Sequence, residues 1–176
     1  MRESRKTRYT RMALQDALCG LMATKPFPAI SVTELCVEAD VNRTTFYSHY
    51  QDQACLLEEI ESAALESVNR LLDGLKGQAA DEILRRGVHM LATDEAHLGI
   101  LLGRHGDPEF QEELFSNIFA RCGIKPTTKE STPHDLDFAF VLGGSVSLLQ
   151  RWMETGKRTP ERDVAAAIAR FATSIA

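Results

Sequence analysis

The sequence predicts an all-α chain of about nine helices, on three observations. Apolar residues recur at three- and four-residue spacing along most of the length. No stretch of strand length alternates apolar with polar residues. Pro and Gly, 6 and 11 among 176 residues, fall mostly between the periodic stretches. At 44% hydrophobic and 26% charged, the chain can bury a core and is not a disordered one.

The first helix is expected from about Ser4 to Ala23, with Met12, Ala13, Ala17 and Leu21 on its apolar stripe, and KPFPAI ends it because neither proline can continue it. Ser31-Val32-Thr33-Glu34 reads as a capping box opening a short second helix, with Glu34 reaching back to Ser31. Asp40 takes the turn, and Asn42 caps a third helix from Arg43 to Tyr50. Asp52 caps a long fourth helix that stops near Gly77. Further helices are expected over Asp81–Thr93, Glu95 to about Arg104, from Asp107-Pro108 onward, from Thr132-Pro133 to about Thr155, and from Thr159-Pro160-Glu161. Residues 122–132 read as a loop.

Net charge is −5, but it is unevenly placed. Residues 1–50 hold seven Lys/Arg against five Asp/Glu, and the remainder thirteen against twenty. Five cations, Arg2, Arg5, Lys6, Arg8 and Arg11, lie in the first eleven positions. A basic end on an acidic body orients a molecule toward a polyanion; a solvated tail has the same composition.

Two short helices joined by Asp40-Val41-Asn42 have the form of a helix-turn-helix. Phe46 and Tyr50, four apart, face inward, and Thr44 and Ser48 face outward, flanked by Thr45 and Tyr47. Hydroxyls and His49 on such a face suit phosphate oxygens, and Arg43 and Thr44 at the tip suit base edges in a major groove. A plain helical hairpin with a polar surface would share the spacing.

The segment KPFPAISVTELCVEADVNRTTFYSHYQDQACLLEEI resembles the DNA-binding region of TetR-family transcriptional regulators, from about Arg8 to Ile60, most specifically over VNRTTFYSHY. The resemblance implies a helix-turn-helix domain of three helices, residues 1–51, followed by a helical ligand-binding and dimerisation domain, 52–176. It places Thr45, Tyr47 and His49 at phosphate-contacting positions, Arg43 and Thr44 at base-reading ones, and Thr33 at another position facing DNA. Ser48 shares the outward face, and Arg5, Lys6 and Arg8 form a basic arm. The chain departs from the family where Asp40 replaces the usual turn Gly and where Gln51 and Gln53 replace cations, which weakens the phosphate attraction.

HLGILLGRHGDPEFQEELF and FAFVLGGSVSLLQRWMETGKRTPERDVAAAIARF resemble the C-terminal domain of a TetR subgroup that includes regulators related to a dihydroxyacetone-kinase activator. Gly143 and Gly144 in mid-helix cost about 1 kcal/mol each relative to Ala, which implies a use such as close helix approach. Trp152 sits two turns further on, nearly on the same side, and suits an interface anchor. The resemblance implies dimerisation through the last two long helices as a four-helix bundle, and Gly143, Gly144, Ser147 and Trp152 are the expected interface residues; packing within the protomer is the alternative use of the glycines. A two-fold dimer presents recognition helices to major grooves roughly 34–36 Å apart on a palindromic double-stranded operator. An effector pocket, if present, would be faced by Leu65, Met90, His97, Leu101, Phe115, Phe119 and Phe138; such a stripe is also ordinary core.

His89, His97 and His105, eight apart, do not converge as metal ligands. Cys122 at a helix end is a candidate reactive thiol, and Cys19, Cys36 and Cys55 read as core. No nucleophile, P-loop or metalloprotease motif points to an enzyme, and no cofactor is implied beyond an unknown small-molecule effector. Without an apolar run of spanning length or a signal-peptide pattern, the expectation is a cytoplasmic protein with no membrane partner. The expected function is a homodimeric DNA-binding regulator, by default a repressor. The alternative is a protein-interaction module, binding a co-activator for instance, that kept the fold and lost DNA binding.

Overall fold

Polar side chains that cap orphan backbone groups start several helices where the sequence places them. Ser31 Oγ accepts from Glu34 N–H at 3.2 Å, Asn42 Oδ1 from Thr45 N–H at 2.7 Å, Asp52 Oδ1 from Cys55 N–H at 2.9 Å, and Asp107 Oδ1 from Glu109 N–H at 2.9 Å. The capping box is only half formed, because the Glu34 carboxylate pairs with Lys25 instead of returning to Ser31. The structure, a computed structural model, describes residues 5–93, 97–124 and 133–172. The chain among these residues is all-helical: α1 (Arg5–Met22), α2 (Val32–Glu38), α3 (Arg43–Tyr47), α4 (Gln53–Gly74), α5 (Ala80–Ala92), α6 (Leu98–Leu101), α7 (Pro108–Arg121), α8 (Pro133–Glu154) and α9 (Glu161–Ala172), with a 3-10 turn at Phe27–Ala29. None of these helices is long and apolar enough to cross a membrane. The expected starts of the sixth and eighth helices, at Glu95 and Thr132, and most of the expected loop lie outside the described residues.

The chain divides into two compact units, 1–63 and 64–176, and α4 runs through the division. In the first unit α1 packs on α2 and α2 on α3. Leu14, Leu18, Met22, Ile30, Leu35, Phe46 and Leu56 form its fully buried centre.

In the second unit α5 is the hub, packed against α6, α7 and, most extensively, α9, while α8 packs on α7 and α9. Two buried or half-buried amides hold the segment between α6 and α7. Gln111 Nε2 donates to the carbonyls of Leu101 and Gly103, at 3.0 and 3.3 Å, and Gln150 Nε2 to those of Leu102 and Gly103, at 3.1 and 3.3 Å. Gly106 is required there, because a Cβ would stand 1.8 Å from the Leu101 oxygen. Lys157 Nζ donates to the last carbonyls of α5, Leu91 and Ala92, at 3.0 and 2.9 Å, placing a cation at the negative end of that helix.

Trp152 corrects an expectation. It is only 4% exposed, and its Nε1–H donates to Thr159 O at 2.8 Å within the same chain. Eight residues carry a helix past two turns by about 80°, so Trp152 leaves the face that holds Gly144 and turns into the protomer core. Replacing Trp152 with Ala is therefore expected to lower the unfolding free energy by roughly 3–5 kcal/mol in urea melts followed by circular dichroism. A variant with unchanged stability would contradict this burial.

Candidate nucleic-acid interface

The turn between α2 and α3 needs a left-handed residue, and Asp40 supplies it with φ of 52°. Asp carries this conformation at some cost where Gly would carry none. The chain then closes with Val41 N–H donating to Cys36 O at 2.9 Å. The third helix is shorter than expected, ending at Tyr47 instead of Tyr50, because Ser48 turns its hydroxyl back to Thr45 O at 2.7 Å and His49 N–H donates to Phe46 O.

Phe46 is wholly buried and Tyr50 nearly so, with ring centroids 5.9 Å apart. Tyr50 donates its hydroxyl to Glu59 Oε1 at 3.0 Å. The same carboxylate receives Gln15 Nε2 at 2.6 Å and pairs with the Arg11 guanidinium at 2.6 Å. One carboxylate on α4 thus ties the end of the recognition segment to α1. It also removes Arg11 from the set of cations open to a ligand. Arg5, Lys6 and Arg8 are exposed, pair with no carboxylate among the described residues, and lie in the first turns of α1, so they form a helical edge and not an extended arm.

With Phe46 pinned inward, Arg43, Thr44, Tyr47 and Ser48 are exposed together, and Thr45 and His49 are half-buried beside them. The Arg43 guanidinium stands 5.9 Å from the centre of the Tyr47 ring, a helical i, i+4 stack that steadies both. Thr33 is exposed on the first turn of α2, as is Val37 one turn on. Gln51 is exposed, and Gln53 Nε2 donates to Ile30 O at 3.4 Å, so the second amide serves the fold where the family resemblance implies a cation.

The other expected sites fare differently. Met90 and Phe115 border an apolar cavity of about 40 Å³ in the second unit, too small for a sizeable effector; His97, Leu101, Phe119 and Phe138 do not. Phe119 stacks with Phe115 and Phe138 at 5.6 and 6.0 Å as core, Leu101 is fully buried, and His97 takes a left-handed turn before α6. Leu65 is half-buried and also absent from that cavity's lining. Burial pushes the Cys122 thiol up to about 11, the opposite of an activated thiolate.

Gly143, Gly144 and Ser147 are exposed, and nothing described lies within 4 Å of where a Cβ would stand at either glycine. Among the described residues the glycines therefore serve no close approach. The same stripe of α8 exposes Leu136 and Phe140 (66% and 75%), and Phe171 on α9 adds to it at 51%. Sequence reasoning missed these three, although Leu136, Phe140, Gly144 and Ser147 keep the three- and four-residue step.

No protein-family model and no curated protein sequence matches the chain. Solved structures do. A TetR transcriptional regulator from Streptococcus agalactiae 2603V is 23% identical, with 97% of this chain and 96% of that one covered and a TM-score of 0.68. A gamma-butyrolactone receptor, an ArpA-like protein, is 16% identical over 98% of both chains with a TM-score of 0.57. The dihydroxyacetone kinase operon activator DhaS is 16% identical over 94% of both chains with a TM-score of 0.53. The chain has the TetR-like fold.

Tyr50 makes the anchoring of this interface measurable. Burial, reinforced by the Glu59 charge and partly offset by Arg11, holds its phenol at about 12, above the ordinary 10.0. A pKa raised on folding adds stability that is complete below the unfolded value and is lost as pH climbs through the folded one. Unfolding free energy is expected to fall between pH 10 and 12, less steeply in Tyr50→Phe, as read by denaturant titration at each pH.

Proposed function

We propose that this chain is a homodimeric, sequence-specific DNA-binding transcriptional regulator whose DNA binding responds to an effector held in the second unit. The observation that carries the proposal is the outward face of α3. A buried Phe46 and the Tyr50–Glu59 bond fix the segment, and Arg43, Thr44, Tyr47 and Ser48 then project together beside half-buried Thr45 and His49. Guanidinium at the tip reads base edges, and hydroxyls and imidazole take phosphates. Thr33 on α2 and the Arg5, Lys6 and Arg8 edge of α1 add backbone contacts.

The dimer forms through the α8 stripe of Leu136, Phe140, Gly143, Gly144 and Ser147 with Phe171 of α9. Exposed aromatic and apolar side chains beside glycines that none of the described residues covers support a second copy there. Two-fold symmetry then sets two α3 helices on a palindromic operator. Repression follows from covering a promoter, and the effector releases DNA by favouring a dimer with wrongly spaced recognition helices. A protein of this kind acts in the cytoplasm and catalyses nothing. The second reading, an interaction module on the same fold that has lost DNA binding, is favoured by the two neutral amides, Gln51 and Gln53, and by the strained Asp40.

Selection of duplexes from a random pool by the purified chain separates the two. A palindromic site with half-sites about one helical turn apart is expected. Arg43→Ala should relax sequence choice at a defined base pair, and Tyr47→Ala should weaken all duplexes alike. No enriched site at low salt would favour the interaction module. For the interface, Phe140→Glu is expected to sediment as a folded monomer where the parent chain sediments as a dimer; an unchanged dimer would reject the α8 stripe.

A further inference from the structure

On the surface of the second unit, an open groove of about 270 Å³ runs between α4 and α5, lined by Ser67, Arg70, Leu71, Arg86, His89 and Met90. Among the described residues no carboxylate lines it, although the unit as a whole is acidic in sequence. Arg70 meets no carboxylate among the described residues; its Nη2 donates to Ser67 Oγ at 2.9 Å, which fixes the guanidinium and leaves the Ser67 hydroxyl hydrogen free to donate. Arg86 shares Glu82 with Arg85, and Arg85 already takes both Glu82 oxygens, at 2.8 and 2.7 Å, so that carboxylate cannot neutralise both cations. His89 Nδ1 lies 2.9 Å from Glu161 Oε2 on α9, and among the described residues the opposite ring nitrogen meets no carboxylate.

The floor of the groove is of another kind. Leu71 and Met90 form it, and both also border the inner apolar cavity, whose lining continues through Leu72, Leu84, Leu91 and Phe115. Met90 is buried, unbranched and able to change rotamer, and with Leu71 it lines both the cationic groove and the apolar cavity.

We infer that this groove binds a small organic anion with an apolar tail. The carboxylate or phosphate head is held by Arg70, Arg86 and the Ser67 hydroxyl, and the tail runs over Leu71 and displaces Met90 toward the inner cavity. Two guanidinium groups on adjacent helices bind a planar or tetrahedral anion through ion pairs with charge-assisted hydrogen bonds, and an uncharged amphiphile forms no ion pair with them. The inference supplies the chemistry of the effector in the proposed function and rests on that reading only for the site's purpose.

Calorimetric titration and thermal melts of the full chain without DNA test it, using sodium octanoate, octyl phosphate, octan-1-ol and acetate as probes. Octanoate or octyl phosphate should bind saturably and raise Tm, and which of the two binds tighter identifies the head. Acetate should bind at least tenfold more weakly and octan-1-ol should not compete. Arg70→Ala and Arg86→Ala should each weaken the bound anion at least tenfold while leaving the ligand-free Tm unchanged. Arg104→Ala, the same charge change on a residue that pairs with Glu154 and does not line the groove, should leave affinity intact. Absence of binding by both anions, equal binding of octan-1-ol, or equal loss in Arg104→Ala would overturn the inference. A chain that binds octanoate yet selects no DNA site would refute the regulator and leave the groove standing.

Discussion

A helix of five residues cannot hold itself together in water, and α3 is five residues long. Its orientation is set from outside, by the complete burial of Phe46 and by the Glu59 carboxylate that gathers Tyr50, Gln15 and Arg11. Burying one large aromatic contributes on the order of 2 kcal/mol through apolar area, and the hydrogen bonds to a charged acceptor add direction to it. With one face fixed this way, the opposite face is fixed too. Every side chain proposed to meet DNA from α3 therefore depends on two residues that never touch it.

The second unit solves a different problem, which is how to end helices inside a packed body without stranding their carbonyls. Gln111 and Gln150 take the carbonyls at the end of α6, and Lys157 takes those of α5. Lys157 can do so because Gly156 and Lys157 both adopt positive φ after α8, with Lys157 N–H returning to Trp152 O. These caps leave α8 with one face inward, through Phe138, Val141, Ser145, Leu149 and Trp152, and the other carrying Leu136 and Phe140 to solvent. An apolar face that none of the described residues covers is consistent with a second copy there.

The sequence makes local chemistry legible and long-range chemistry opaque. Caps at Ser31, Asn42, Asp52 and Asp107 stand where their residue types suggest, because a cap involves neighbours two or three positions away. Inward Phe46 and Tyr50 follow from a four-residue step. Glu59 reaches partners 44 and 48 residues distant, and no periodicity announces that. Trp152 lies two turns and about 80° beyond Gly144, and that remaining angle turns it inward. Leu101, Phe119 and Phe138 are apolar at helical spacing, which is equally the pattern of close-packed core, and they pack as core. The cationic groove was out of reach, since Arg70 and Arg86 come together only when α4 and α5 pack.

Amide hydrogen exchange of the full chain with and without a selected duplex tests the central claim most directly, since it reports where the chain meets DNA without altering any residue. DNA held on the face fixed by Phe46 and Glu59 should slow exchange over residues 31–50 and in the first turns of α1, while α5 and α9 keep their free-protein rates. Unchanged exchange over 31–50, with protection confined to residues beyond 64, would contradict it.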